Sequence, residues 1–200
     1  MYHLITEWLT THYIELSGAV LGLFYIYFSI RQSILTWPTG LATSLLYIIV
    51  FFRAKFYADM GLQFYYVFIS LYGWYLWKKG NPEQNNARVQ VKHLDMSDLL
   101  YSLAASAVLF AVIHFILENH TDSPVPVMDA LTTAISIVAT YLLARKILEH
   151  WLAWIFVDLV SAGLYAFKGL WPTVVLFLVY TVMAAAGFRE WSRELKTRSR

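Results

Sequence analysis

The sequence has no cysteine, only five prolines, and charged residues at just 14% of its 200 positions. Without thiols there is no disulfide, no thiolate metal site and no cysteine nucleophile, and the redox compartment cannot be read. The scarcity of charge, set against 59% hydrophobic residues, excludes an ordinary soluble domain, whose surface has to be covered with polar groups. Residues 1–12 hold Glu7 and no Lys or Arg, so they lack the basic start of a cleavable signal peptide, and the first apolar helix is expected to stay in the protein. Enzyme signatures are missing too. No two of the histidines frame a Glu at helical metal-site spacing, and there is neither a glycine-rich phosphate loop nor a serine elbow. The expectation is a protein that is not an enzyme and takes no cofactor or metal. With no sizeable soluble domain, nucleic-acid binding is excluded in practice.

What the sequence does have is apolar length. Stretches long enough to cross a bilayer lie near 14–31, 37–54, 60–77, 98–118, 127–145, 151–168 and 171–190. The fold class expected is therefore an all-α membrane protein with seven transmembrane helices. Pro38 and Pro172 fall in the first turns of the second and seventh spans, where a missing N–H costs least. The one long polar segment, 78–95 (KKGNPEQNNARVQVKHLD), reads as a solvent loop that separates three helices from four. Orientation follows from where the 15 Lys and Arg residues fall. Twelve of them, including Arg31, Lys78, Lys79, Arg145, Lys146 and the basic tail from Arg189 onward, lie on one side of the predicted membrane, whereas Arg53, Lys55 and Lys168 lie on the other. Since basic residues resist translocation, the N-terminus is expected outside and the C-terminus in the cytoplasm.

An ungapped self-alignment that places Trp37 on Trp151 also places Tyr27 on Tyr141, Arg31 on Arg145, Leu45 on Leu159, Leu62 on Leu176, Tyr66 on Tyr180, Gly73 on Gly187 and Trp77 on Trp191. An even number of spans separates the matched helices, so the copies share an orientation: a parallel repeat of 3+1+3 helices. The domain reading is a first three-helix repeat at 1–79, a cytoplasmic loop and linker helix at 80–122, and a second repeat with a basic cytoplasmic tail at 123–200. The other explanation is convergent chemistry at helix ends, where Arg and Trp recur.

Asp158 stands out because a carboxylate near the bilayer centre costs about 2.5–3.5 kcal/mol on insertion scales. Trp151, Trp154 and Asp158 share one helical face, and Ser161 and Tyr165 extend it. Two indoles and a carboxylate can cage a flat cation, since ring faces attract positive charge and the carboxylate neutralises it. Trp151 can equally be an interfacial anchor, and Asp158 can equally bond to a neighbouring helix. Trp154 and Asp158 align with Gly40 and Ser44, so the copies differ where the candidate contacts occur. In the third span Gln63 and Tyr66 share a face with Ser70, Gly73 and Trp77, and both can donate to and accept from hydroxyl groups. Interhelical bonding is the alternative for Gln63, and Trp77 reads as a belt residue at the interface. Tyr47, mid-span, faces either a ligand or a neighbour. Lys55, Tyr57 and Asp59 form a short external turn that is either a gate or a solvated loop.

Three segments, AKFYADMGLQFYYVFISLYGWYLW at 54–77, W-x-x-W-x-x-x-D at 151–158 and LYAFKGLWPTVVLFLVYTVMAAAGFREW at 164–191, resemble the PnuC family of vitamin-precursor transporters. The resemblance implies a homotrimer of seven-helix protomers, arranged three-one-three like SWEET sugar transporters, in a bacterial inner membrane. It further implies facilitated diffusion of nicotinamide riboside, trapped afterwards by a cytoplasmic kinase, with Trp151, Trp154 and Asp158 at the ligand. Other branches carry thiamine or riboflavin. Nicotinamide riboside and thiamine both contain a flat cationic ring, so the cage suits either, and thiamine is the alternative substrate. A non-transporting membrane scaffold or receptor subunit is the alternative of another class, although it would have no use for an unpaired Asp158.

Overall fold

The computed structural model describes residues 17–54, 57–80, 89–121, 124–167 and 169–198. Among these the protein is all-helical: α1 (Ser17–Ile30), α2 (Thr36–Ala54), α3 (Tyr57–Lys79), α4 (Met96–His120), α5 (Pro126–Ala144), α6 (His150–Phe167) and α7 (Trp171–Arg198). Each apolar run of the sequence thus becomes a helix. Four of them, α4 to α7, are long and apolar enough to cross a membrane. The external turn at Lys55, with the side chains of Tyr57 and Asp59, lies outside the described residues. The largest departure from the expected spans is at the C-terminus, where the basic tail continues α7 through Arg198. Arg193, Glu194 and Lys196 are good helix formers, and a helix leaving the bilayer needs no apolar face.

The chain divides into two compact units, Met1–Tyr75 and Leu76–Arg200. In the first, α1 turns into α2 through Gln32, which adopts the left-handed conformation at φ 50°. Gln32 N donates to Ser29 O at 3.0 Å and Ser33 N to Phe28 O at 2.9 Å, the paired bonds of a Schellman C-cap. Trp37 is fully buried, and its indole lies so close over Gly73 of α3 that no Cβ would fit there.

In the second unit α4 packs on α5, α5 on α6 and α6 on α7, with Val138, Leu142 and Ile147 at the core against Leu94 and Leu109. The α5–α6 turn repeats the first unit's turn. Lys146 is left-handed at φ 53°, Lys146 N donates to Leu143 O at 2.9 Å, and Ile147 N donates to Leu142 O at 3.0 Å. Trp151 then lies over Gly187 of α7, again leaving no room for a Cβ. The outer face of α4 is strongly apolar, with Leu100, Tyr101, Leu103, Val108 and Phe115 all exposed. Such a surface is untenable in water and suits lipid.

The segment expected to be a solvent loop is only partly one. Residues 81–88 lie outside the described residues, but 89–95 form a strap on the α5–α6 turn. Lys92 pairs with Ile147 in a parallel bridge, through Lys92 N to Lys146 O at 3.0 Å and Leu148 N to Lys92 O at 2.9 Å. Glu149 accepts from Leu94 N at 2.8 Å and meets His93 Nδ1 at 2.8 Å. Asp98, buried at the start of α4, is bound by Lys92 Nζ at 2.9 Å and by the Arg145 guanidinium. Asp95 caps α4 by accepting from Asp98 N at 2.7 Å. That backbone bond, helped by the Ser97 hydroxyl, holds the exposed Asp95 carboxyl below its ordinary value. Trp77 joins this assembly instead of the interfacial belt expected of it. Its indole is buried, donates to Ala144 O at 3.0 Å, and carries the Lys146 ammonium 4.5 Å from its ring centroid.

Candidate functional site

The sequence of α6 fixes which candidate side chains share a face. Positions 151, 154, 158, 161 and 165 recur every three or four residues, and α6 is unbroken from His150 to Phe167. Trp151, at the start, is 3% exposed and fully committed to packing. Its ring stands edge-on to Trp191 with centroids 5.6 Å apart and 4.5 Å from His150. His150 itself is fully buried between Trp151 and Trp191 and anchored through Nδ1 to Ile147 O at 2.7 Å. The sequence reading did not single out His150, although a histidine directly before the first Trp of the stripe was the available signal.

Trp154 behaves differently. It is half-buried and makes no ring contact or hydrogen bond among the described residues. One turn on, Asp158 is 4% exposed, and no group among the described residues hydrogen-bonds or ion-pairs with it. Burying a carboxylate with no compensating partner is among the more expensive arrangements in a protein interior. The alternative reading of Asp158, a bond to a neighbouring helix, thus finds no partner among the described residues. Ser161 is 8% exposed and also makes no hydrogen bond there. Tyr165 closes the stripe, stacked on Phe177 of α7 with ring centroids 5.2 Å apart. From its start onward, α6 therefore presents a locked indole, an unengaged indole, an unpaired carboxylate and an unbonded hydroxyl. That order of groups can take up a flat cation carrying a hydrogen-bonding substituent.

The remaining candidates belong to the first unit. Gln63 and Tyr66 lie one turn apart on α3, both half-buried, and the Tyr66 ring meets Tyr65 edge-on at 5.5 Å. Neither the Gln63 amide nor the Tyr66 hydroxyl makes a hydrogen bond among the described residues. Tyr47 reaches from α2 to α1, where its hydroxyl occupies the space beside Gly18.

Comparison with known proteins gives a consistent picture. The family model described as nicotinamide mononucleotide transporter matches residues 12–193. The nicotinamide riboside transporter PnuC of Escherichia coli K12 is 26% identical over 210 residues, covering 93% of this chain and 87% of the relative. PnuC of Neisseria mucosa is 29% identical over 192 residues, covering 91% of this chain and 73% of the relative. The riboflavin/roseoflavin transporter RibM of Streptomyces davaonensis is 29% identical over 183 residues, covering 88% and 83%. Among solved structures, the crystal structure of the vitamin B3 transporter PnuC superposes with a TM-score of 0.75 at 24% identity, over 98% of this chain and 87% of that one.

Proposed function

This chain belongs to the nicotinamide mononucleotide transporter family, and from that premise we propose that it carries nicotinamide riboside down its gradient across a bacterial inner membrane. Its relatives are transporters, not enzymes. The observation that carries the choice of cargo is the buried Asp158 carboxylate, which has no cation beside it among the described residues. A pyridinium ring supplies the missing charge, and the unengaged Trp154 supplies a π face for it. Trp151 sets the helix against α7 and so fixes where these two groups stand. Ser161 and Tyr165 are further contacts on the α6 stripe in this reading, and Gln63, Tyr66 and Tyr47, in the first unit, are further candidates whose amide and hydroxyl groups suit a sugar.

The same carboxylate argues against the phosphorylated form of the ligand. A phosphate group brings two negative charges, and the α6 stripe contributes no Lys or Arg to offset them. The cargo is therefore the riboside, and cytoplasmic phosphorylation would trap it by making it unfit to return. No nucleotide-binding segment is evident in the sequence, which agrees with movement down a gradient. The parallel 3+1+3 arrangement draws support from the two turns at Gln32 and Lys146 with the same bonding pattern, and from the two Trp-on-Gly contacts that follow them. An outside N-terminus, a cytoplasmic C-terminus and a homotrimeric assembly complete the proposal.

Uptake of radiolabelled nicotinamide riboside into liposomes containing the pure protein tests it. Uptake that saturates, needs neither ATP nor an ion gradient, and is competed by unlabelled riboside more strongly than by thiamine or riboflavin is the expected result. Absence of uptake and of binding for all three vitamins would overturn the transporter reading, and stronger competition by thiamine would reassign the cargo.

A further inference from the structure

The seventh helix carries a stripe of side chains that the transport reading does not use. Trp171, Val175, Leu178, Val182, Ala186, Arg189 and Arg193 recur every three or four residues along α7, so they share a face. All of them are exposed. Ala184, Gly187 and Trp191 are buried on the opposite side, where α7 packs on α6 and Trp151 covers Gly187. The outward stripe is thus apolar as far as Ala186 and cationic at Arg189 and Arg193.

The height at which its character changes matches a bilayer. At about 1.5 Å per residue, the stretch from Trp171 to Arg189 is about 27 Å long, close to the roughly 30 Å of a hydrocarbon core. With Trp171 at one interface, where tryptophan rings settle, Arg189 reaches the headgroups of the opposite leaflet, and Arg193 lies about 6 Å beyond it. Both arginines therefore stand at the level of lipid phosphates, on the side of the helix that lies against lipid.

Nothing in the protein neutralises them there. Neither guanidinium makes a hydrogen bond or ion pair among the described residues. Arg145, in contrast, binds Asp98, and Lys146 lies over the Trp77 ring. The acidic neighbours Glu190 and Glu194 fall off the stripe, so no carboxylate stands between the two arginines on this face. Like charges four residues apart on a helix repel, and an anion shared between them relieves the repulsion. The planar fork of a guanidinium grips phosphate oxygens through two N–H donors at once.

We propose that Arg189 and Arg193 form a site for the headgroup of an anionic phospholipid, in the leaflet on the side of the C-terminus. A lipid is favoured over free phosphate because the apolar part of the same stripe runs directly into the site and gives the acyl chains a continuous surface. The site goes beyond the transport reading and stands whatever the cargo.

The test titrates phosphatidylglycerol, phosphatidylcholine and inorganic phosphate into the full-length protein in a neutral detergent, read by the rise in thermal midpoint. Phosphatidylglycerol is expected to reach half its effect at a concentration at least about tenfold lower than phosphatidylcholine, and inorganic phosphate to have little effect. The double variant Arg189→Gln, Arg193→Gln should lose that preference. Should it fail to fold, Arg193→Gln alone, one turn further from the membrane, decides with an expected loss of about threefold. Equal response of the wild type to the two lipids, or equal stabilisation by inorganic phosphate, would overturn the proposal. A preference that survives in the variants would overturn it too, and if the variants also changed oligomeric state, the face would be an interface between copies of this chain.

Discussion

The turn from α1 to α2 and the turn from α5 to α6 are built alike. In each, a residue other than glycine sits left-handed, Gln32 at φ 50° and Lys146 at φ 53°, and the same two backbone bonds close the preceding helix. In each, a tryptophan on the next turn, Trp37 or Trp151, lies over a glycine of the helix that follows, Gly73 or Gly187. The likeness ends three residues later. The first unit has Gly40 and Ser44, a residue without a side chain and a neutral hydroxyl, whereas the second has Trp154 and Asp158, an aromatic face and a charge. One local scaffold thus supports two chemistries, and only the second invites a cation. The second unit also carries the strap of 89–95, which ties the α5–α6 turn to α4 through Asp98 and Glu149.

If the shared scaffold is what the close packing indicates, Gly73→Val and Gly187→Val should destabilise the protein by similar amounts, about 1–3 kcal/mol each from overpacking, read as lowered thermal midpoints in detergent. Loss in one and none in the other would break the likeness between the units. The difference in chemistry should show in binding. Trp154→Ala and Asp158→Ala are each expected to weaken riboside affinity at least about tenfold, measured by titration calorimetry; unchanged affinity in both, with normal folding, would remove α6 from the site. Asp98→Ala strands Lys92 and Arg145 without their shared partner. Because both cations are partly exposed, the expected cost is about 1 kcal/mol, and an unshifted midpoint would show the strap to be ornamental. The smallest effect separates the two left-handed residues. Gln32→Gly relieves an unfavourable backbone conformation and should stabilise by up to about 1 kcal/mol, whereas Lys146→Gly forfeits its contact with the Trp77 ring and should gain less. Equal gains would mean that this contact contributes nothing.

Much of the fold was legible because its signals are local. Apolar length marks every helix, and a lone carboxylate within WLAWIFVDLV identifies Asp158 without reference to anything distant. The parts that escaped depend on partners remote in sequence. The 78–95 segment has the composition of a loop, and nothing in it announces that Lys92 pairs with Ile147 or that Leu94 N finds Glu149. Trp77, at a helix end beside two lysines, has the surroundings of a belt residue, but its hydrogen bond to Ala144 O comes from another helix. Trp151, at the start of its span and matched to Trp37, already differs in sequence from Trp154, and packing completes the separation between the indole locked by His150, Trp191 and Gly187 and the one left unengaged. The extension of α7 escaped for a different reason, since positive charge marks the membrane side and says little about whether the backbone stays helical.

The central claim is that Asp158 is the counter-charge for a cationic ring. It is tested most directly by comparing the affinity of the wild-type protein and of Asp158→Asn for nicotinamide riboside and for its reduced dihydro form, which has the same sugar and no charge. The account predicts that the wild type prefers the cation by at least about tenfold and that Asp158→Asn abolishes the preference. Equal wild-type affinity for the two forms would contradict it.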